Sequence, residues 1–358
     1  MQVQVETGNI TLRAVRGDGI RELNAAAGAM RLLRIALIAV GLLCLIIAAP
    51  VIAALFWQTA DRTVVAPASG RFVHAHDVDV YVQEWGNRSG PVVLLIHAAG
   101  GWSGVWERTA QRLSSDGYRA IAMDMPPLGY SERPAVPAYG RIDQARRVVG
   151  VLDALGVQRA VLLGHSFGAR AVAEAALRWP DRVAGLVLVD AALGLDPPPR
   201  QPSLVGDILR WSPARKLIAA ATLSDPLFTK TLLKMFVAYP DSVTPYWVAM
   251  YQRPLNVRGT YSATADWLPE LLDEPDNGSL SSHSASFAAV TAPTLVVWGS
   301  SDSVTPLPQG QAIAKSIPGA RLLVITGVGH MPPIEAEDAF VGAVLDFLHV
   351  YAPTARPR

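Results

Sequence analysis

The sequence predicts an α/β fold in which helices cover both faces of an eight-stranded, mostly parallel sheet. Eight short apolar runs have the length and composition of strands, and helical patterns alternate with them from Trp102 onward. The first two runs are close enough to form a hairpin, whereas the alternation after them is typical of parallel βα units. The predicted strands are 72–76, 78–84, 92–96, 119–123, 160–163, 183–189, 294–297 and 321–325.

Helices are predicted where apolar residues recur at helical spacing between these strands. They are 105–114, 141–155, 169–179, 309–317 and 335–350. After the sixth strand the chain continues for about 95 residues before the seventh, which is too long for a loop. Apolar helical segments within this insertion predict a helical cap over about residues 192–285.

The pentapeptide Gly164-His165-Ser166-Phe167-Gly168 lies between a predicted strand and a predicted helix. In that context G-x-S-x-G is the pattern of a nucleophile elbow, a sharp turn that raises a serine above the sheet. Small residues are needed two positions before and after the serine, because side chains there would collide with the neighbouring strand and helix. Ser166 is therefore predicted to be a nucleophile.

A serine nucleophile needs a base to remove its proton and an acid to orient that base. In a fold with such an elbow, the acid and then the histidine follow the serine along the chain. Asp302 and His330 come just after the seventh and eighth predicted strands, where open α/β sheets collect their active sites. We predict a triad of Ser166, His330 and Asp302, with Asp190, at the end of the sixth strand, as a rival acid.

The tetrahedral oxyanion of such a reaction needs two backbone N–H donors. One is predicted at Phe167, which follows the nucleophile, and the other at Ala99, in the small-residue loop after strand 92–96. His97 in the same loop is interpreted as a residue that stabilises the loop by hydrogen bonds rather than as a second base.

The cap and the loops beside the triad supply side chains for a largely apolar substrate pocket. The predicted pocket residues are His97, Trp102, Met235, Phe236, Trp247, Met250, Tyr251 and Met331. As a group they favour an apolar acyl or aromatic substrate.

These residues together resemble the α/β-hydrolase superfamily, in its cap-bearing serine hydrolase branch, over about residues 70–350. The segment 124–131, Asp-Met-Pro-Pro-Leu-Gly-Tyr-Ser, is similar to the D-x-P-G-x-G-x-S loop of that family, and Trp106 and Glu335 also match. Two positions depart from the family pattern, Ala98 and Pro127, where glycine is usual. The resemblance implies an esterase-like or lipase-like hydrolase. A serine nucleophile disfavours the dehalogenases and epoxide hydrolases of the family, which use aspartate.

Residues 35–57 form a run of 23 residues without a charge. A helix of that length spans roughly 34 Å, enough to cross the ~30 Å hydrocarbon core of a bilayer. Five arginines precede the run and two follow it within a similar distance, so the positive-inside rule predicts a cytoplasmic tail and an exported domain. A cleaved signal peptide and a secreted domain are the alternative. The predicted organisation is a tail 1–34, a transmembrane helix 35–57, a linker 58–70, the hydrolase domain 71–350 and a tail 351–358.

Composition excludes several classes of function. The chain has 31 basic and 30 acidic residues, a net charge of +1, and no basic stripe that would favour nucleic acid. Its single cysteine, Cys44, lies in the predicted span, so the exported domain has no thiol for catalysis or metal binding. No metal-ligand spacing is present, and the triad chemistry needs no cofactor. The oligomeric state is left open.

The sequence therefore predicts a membrane-anchored serine hydrolase that cleaves a small-molecule carboxylic ester through an acyl-enzyme. The same triad also serves C–C bond hydrolases, amidases or peptidases, and cofactor-free haloperoxidase-like enzymes, and the sequence does not separate these. A binding protein without activity on the same fold is an alternative of another class. All three triad residues are present, which disfavours it.

Overall fold

The computed structural model describes residues 17–198, 203–272 and 278–352. By its internal contacts the chain divides into two units, one up to Pro50 and one from Val51 onward. The second unit contains an eight-stranded sheet with the spatial order β1-β2-β4-β3-β5-β6-β7-β8. The strands are β1 Gly70–Ala75, β2 Val78–Trp85, β3 Val92–Ile96, β4 Arg119–Met123, β5 Ala160–His165, β6 Val183–Val189, β7 Thr294–Gly299 and β8 Arg321–Ile325.

Strand direction agrees with the predicted hairpin followed by βα units. β2 pairs antiparallel with both β1 and β4, and all other pairs in the sheet are parallel. All eight predicted strands are confirmed, each within two residues of its predicted bounds. They were predictable because strands covered on both faces are continuous apolar runs bounded by turn residues.

Helices cover both faces of the sheet, as predicted. The helices of the described chain are α1 Gly17–Trp57, α2 Arg62–Val65, α3 Glu107–Ser115, α4 Arg141–Ala154, α5 Gly168–Arg178, α6 Leu204–Arg210, α7 Ser212–Ala221, α8 Thr229–Phe236, α9 Pro245–Gln252, α10 Thr260–Leu272, α11 Leu307–Ser316, α12 Pro332–Glu335 and α13 Glu337–Tyr351.

Two apolar layers hold the helices against the sheet. Alternate residues of β3 belong to different layers: Leu94 packs in the layer with α4, α5 and α11, and Leu95 packs in the layer with α3 and α13. This alternation follows from the two-residue side-chain period of a strand. Residues after the carboxyl ends of the parallel strands are thereby fixed along one edge of the sheet.

The insertion between β6 and β7 is helical, as predicted, and contains α6 to α10. The longest of these helices is α10, which has Pro269 in its interior. Trp267 of α10 is fully buried and stacks edge-on against Phe167, with ring centroids 4.8 Å apart. This contact attaches the insertion to the segment that follows Ser166.

The amino-terminal part of the chain differs from the prediction. Among the residues that the structure describes, no helix is both long enough and apolar enough to cross a membrane. The transmembrane helix predicted over 35–57 is therefore not supported. Within the predicted linker 58–70 the chain forms α2, and Ala60 forms a bridge with Val257. Cellular location and topology stay predictions.

His97 joins two loops at the carboxyl edge of the sheet. It is fully buried, its Nδ1 lies 2.8 Å from the Ala98 carbonyl oxygen, and the Met125 N–H donates to its Nε2 at 2.9 Å. These partners are those of a neutral imidazole with the proton on Nδ1. Burial lowers the pKa of His97 from 6.5 to about 4, and burial also lowers the pKa of His165 to about 3.

We expect the free energy of unfolding to rise with pH between about pH 4 and 6.5. In that range the unfolded chain protonates His97 and His165 whereas the folded chain does not, so the unfolded state binds more protons. Each such histidine contributes a slope of about 1.4 kcal/mol per pH unit. Urea unfolding at several pH values measures this slope.

The matched variant is His97→Gln, in which the amide oxygen can still accept from the Met125 N–H but cannot titrate. Its baseline stability falls because the bond to Ala98 is lost. Its pH slope should also be smaller than that of the unmodified chain. An unchanged slope in the variant would show that the pKa of His97 is not lowered in the folded chain.

Candidate active site

The candidate site is built around a strained turn between β5 and α5. Ser166 has a φ of 52°, in the left-handed region that a residue with a side chain rarely adopts. The Ser166 N–H donates to the Val189 carbonyl at 2.9 Å, and the Ser166 carbonyl accepts from the Ala169 and Ala192 N–H groups at 3.1 Å. Such strain costs about 1–3 kcal/mol and persists only where surrounding structure holds it.

Two glycines make this turn possible. A Cβ on Gly164 would lie 2.6 Å from a methyl of Val172 and 2.7 Å from the Ala169 Cα. A Cβ on Gly168 would lie 2.5 Å from the His97 carbonyl oxygen. The strand, the helix and the β3 loop therefore approach so closely that larger residues would force them apart, as the pentapeptide predicted.

The structure brings together the three residues of the predicted triad. His330 Nε2 lies 2.8 Å from Ser166 Oγ, and His330 Nδ1 lies 2.8 Å from Asp302 Oδ2. All three residues are buried. The spacing is that of a hydrogen-bonded relay in which the imidazole can take the serine proton while the carboxylate orients the ring.

Asp302 is stabilised as a carboxylate by several donors. The Val304 and Thr305 N–H groups donate to Oδ1 at 2.7 and 2.9 Å, and the Thr305 hydroxyl donates to Oδ2 at 2.6 Å. Burial alone would raise the pKa of Asp302, but the hydrogen bonds and charge of His330, together with the Thr305 donors, lower it to about 2. The acid is therefore ionised at neutral pH.

Sequence analysis missed three residues that position the triad. The Thr305 hydroxyl donates to Asp302 and lies 3.2 Å from His330 Nδ1. The sequence feature that could have indicated this role is a threonine three residues after an aspartate in a turn. His165 Nε2 lies 2.8 Å from the His330 carbonyl oxygen. The Glu335 carboxylate accepts from the Gly329 N–H at 3.0 Å and so anchors the histidine loop. Only the fold shows these roles.

The predicted oxyanion donors lie beside Ser166. Ala99 and Ser166 line the same cavity, and Phe167 is the residue that precedes α5. Within the described parts of the chain, neither the Ala99 N–H nor the Phe167 N–H donates to a protein acceptor. Two such groups next to the nucleophile can receive a developing oxyanion.

Ser166 and His330 open into a cavity of about 270 Å³ between the sheet edge and the helical insertion. Its wall is mainly leucine and alanine. The insertion contributes Leu223, Thr229, Leu232, Leu233, Phe236, Tyr251, Leu255, Leu271 and Leu272. The volume lies just below the range of about 300–1,000 Å³ for small-molecule sites, so the cavity suits a small substrate.

Three of the eight predicted pocket residues line this cavity, namely Phe236, Tyr251 and Met331. The other five are not among the residues that line it. Met235 is 62% exposed, and Trp247 and Met250 pack in the core layer beside α3. Trp102 is buried and donates to the Met250 carbonyl, and His97 is occupied by the contacts described above.

The comparisons with known proteins agree with the fold. Residues 91–337 match the family described as alpha/beta hydrolase fold. The chain is 32% identical to 2-hydroxymuconate semialdehyde hydrolase of Pseudomonas putida over 286 residues, which cover 79% of this chain and 95% of that protein.

Two solved structures are also similar. A meta-cleavage product hydrolase of Pseudomonas fluorescens superposes with a TM-score of 0.66 and 26% identity, covering 78% of this chain and 98% of the other. A bacterial membrane phospholipase A superposes with a TM-score of 0.63 and 24% identity, covering 90% of this chain and 99% of the other. At that identity the second likeness shows the fold alone.

The prediction of a membrane-anchored carboxylic ester hydrolase is wrong. The relatives that match at higher identity are a semialdehyde hydrolase and a meta-cleavage product hydrolase, which agree with the C–C bond alternative. The triad motifs could not separate the two reactions, because both begin with attack on a carbonyl carbon. The sheet order, the strained serine turn and the family match together establish that this chain belongs to the alpha/beta hydrolase fold family, as a hydrolase.

Proposed function

We propose that this chain hydrolyses a carbon–carbon bond beside a carbonyl group in a 2-hydroxy-6-oxo-2,4-dienoate. The observation that carries the proposal is the match to 2-hydroxymuconate semialdehyde hydrolase along 95% of that protein. The assembled Ser166-His330-Asp302 contacts support it, because a chain that had kept only the fold would not need them.

The substrate in the name of that relative indicates which bond is cleaved. A muconate semialdehyde has a carboxylate, an enol hydroxyl, two carbon–carbon double bonds and an aldehyde, but no ester or amide. A hydrolase that acts on it must therefore break a carbon–carbon bond, and the bond next to the C6 carbonyl is the one that a nucleophile can activate.

Ser166 is placed for the first step. Its Oγ lies 2.8 Å from His330 Nε2, so the imidazole can take the proton as Oγ adds to the C6 carbonyl carbon. The negative charge then develops on the carbonyl oxygen, where the N–H groups of Ala99 and Phe167 can donate. Asp302 holds the ring in the required tautomer and stabilises the imidazolium.

The leaving group is a carbon atom rather than an oxygen. When the C2 enol of the dienoate has become a ketone, C5 carries two hydrogens and the C5–C6 bond can break. The bonding electrons then pass through the C3–C4 double bond to the C2 oxygen, and a proton from His330 completes 2-hydroxypenta-2,4-dienoate. Water hydrolyses the acyl-Ser166 ester and releases the C6 fragment as a carboxylic acid, so one water is consumed for each bond broken.

The cavity offers few polar groups for the acid end of such a substrate. Arg170 lines the wall, with its guanidinium 4.9 Å above the Phe167 ring and donating to the carbonyls of Ala192 and Glu270 at 2.7 Å. Thr229 and Tyr251 add hydroxyl groups from the insertion.

Tyr251 is the better placed of these hydroxyls to bind substrate. The Thr229 hydroxyl already donates to the Asp225 carbonyl at 3.3 Å, whereas the Tyr251 hydroxyl makes no hydrogen bond to another described residue and Tyr251 lines the cavity. Burial raises the pKa of Tyr251, so the phenol stays protonated and can donate. The phenol is therefore available to a substrate group in the cavity.

We expect the purified chain to convert 2-hydroxymuconate semialdehyde and its 6-phenyl analogue. Cleavage removes the conjugated dienolate chromophore, so the loss of its absorbance measures kcat and KM. The comparison substrates are p-nitrophenyl acetate and p-nitrophenyl butyrate, for which kcat/KM should be lower.

Ser166→Ala is the control, and kcat for the dienoates should fall by on the order of 10⁶. Ester hydrolysis that depends on Ser166, with no loss of the dienolate absorbance, would contradict the proposed reaction while leaving the triad intact.

A second prediction concerns Tyr251→Phe. The loss of one neutral hydrogen bond to the substrate should lower kcat/KM by about tenfold. Stability to urea should be nearly unchanged, because the substitution removes no hydrogen bond to another described residue.

Tyr118→Phe provides the matched comparison. The Tyr118 hydroxyl is buried without a partner among the described residues, and Tyr118 lies in the core and does not line the cavity. Tyr118→Phe should leave the stability to urea unchanged or higher, with no change in kcat/KM. Equal kcat/KM for Tyr251→Phe and the unmodified chain would show that the phenol does not contact substrate.

A further inference from the structure

Two acidic side chains, not one, lie beside His330. Asp190 follows β6 and Asp302 follows β7, and these strands are neighbours in the sheet. One carboxylate oxygen of each aspartate and one ring nitrogen of His330 lie within 4.8 Å of one another. In the sequence the two aspartates are alternative candidates for the acid of the triad, whereas the structure places both beside His330.

The surrounding backbone fixes Asp190 in this position. It is fully buried and has a φ of 40°, so it shares the left-handed conformation of Ser166. Its N–H donates to the Val297 carbonyl at 3.0 Å, and its Oδ1 accepts from the Gly299 N–H at 2.9 Å. Its Oδ2 has no hydrogen-bond partner in the described parts of the chain.

The distribution of donors decides which aspartate carries the charge. Asp302 receives the Val304 and Thr305 N–H groups, the Thr305 hydroxyl and His330 Nδ1, whereas the Asp190 side chain receives a single backbone donor. Two buried carboxylates at this separation cannot both be ionised without a large penalty. The negative charge therefore belongs to Asp302.

The other titratable groups near Asp190 act in the same direction. Burial raises the pKa of Asp190 well above its usual value, the Gly299 N–H opposes this, and the charges of Asp302 and Glu335 add to it. His330 is the base of the site, and its Nδ1 is engaged by Asp302. Asp190 is thus the carboxyl group that holds a proton, and Asp302 is a hydrogen-bond acceptor beside it.

We propose that Asp190 is a protonated carboxylic acid whose Oδ2–H donates to Asp302, and that it takes over as the partner of His330 when Asp302 is removed. Asp190 is then a positioning residue, because it acts on the substrate only through Asp302 and His330. The inference rests on the proposed role of the triad but not on the identity of the substrate.

The test measures the rate at which a fluorophosphonate modifies Ser166, which reports on the triad with no dienoate present. The variants are Asp190→Asn, Asp190→Ala, Asp302→Asn and the double variant Asp190→Asn with Asp302→Asn. The asparagine at 190 keeps the shape of the acid and a neutral donor toward Asp302, so it should label about tenfold faster than the alanine variant.

In Asp302→Asn the labelling rate should fall by less than the roughly 10⁴-fold by which this substitution lowers activity in a triad with one acid. In that variant Asp190 loses its charged neighbour, so it can ionise and pair with His330. In the double variant the labelling rate should fall by the full factor of roughly 10⁴. Equal rates for Asp302→Asn and the double variant would overturn the proposal, as would equal rates for the two Asp190 variants.

Circular dichroism identifies any variant that fails to fold. If the alanine variant does so, the asparagine variants still decide the question, because they are isosteric with aspartate. Labelling rates in the predicted order without dienoate cleavage would leave this inference standing and reject the proposed substrate instead.

Discussion

The backbone at Ser166 is held at a φ of 52° between β5 and α5, and the other parts of the site are arranged around that turn. It can form only because Gly164 and Gly168 allow the strand, the helix and the β3 loop to approach within van der Waals limits. The same approach brings Ala99 and Phe167 beside the hydroxyl and directs that hydroxyl toward His330. Phe167 packs on Trp267, so the turn that positions Ser166 is in direct contact with the helical insertion that forms the cavity wall.

The electrostatics of the site follow from its burial. Near Asp302, His330 and Asp190 there is little water to screen charge, so each proton must have a defined place. Asp302 is ionised because four donors converge on it, and His165 stays neutral because burial lowers its pKa to about 3. One negative charge and one base are thus available to Ser166. That arrangement serves attack on any carbonyl, which is why substrate identity depends on the cavity rather than on the triad.

The sheet and the triad could be predicted from the sequence because both have local signals. Strands covered on both faces are apolar runs, and the elbow requires glycines at fixed offsets from Ser166. The cavity wall could not be predicted in the same way. Side chains of the insertion alternate between its own core and the cavity, so Phe236 and Tyr251 line the site whereas their neighbours Met235 and Met250 do not. For the run 35–57, no helix among the described residues is long and apolar enough to cross a membrane, and the topology stays a prediction.

The central claim, that water is added across a carbon–carbon bond at this triad, is tested most directly by isotope transfer. The purified chain is incubated with 2-hydroxy-6-oxo-6-phenylhexa-2,4-dienoate in H₂¹⁸O, and both products are examined by mass spectrometry. The account predicts equal amounts of 2-hydroxypenta-2,4-dienoate and benzoate, with one ¹⁸O in the benzoate carboxyl group from hydrolysis of the acyl-Ser166 ester. Recovery of intact dienoate from an unmodified preparation would contradict it, when fluorophosphonate labelling of a separate sample of that preparation shows that Ser166 is reactive.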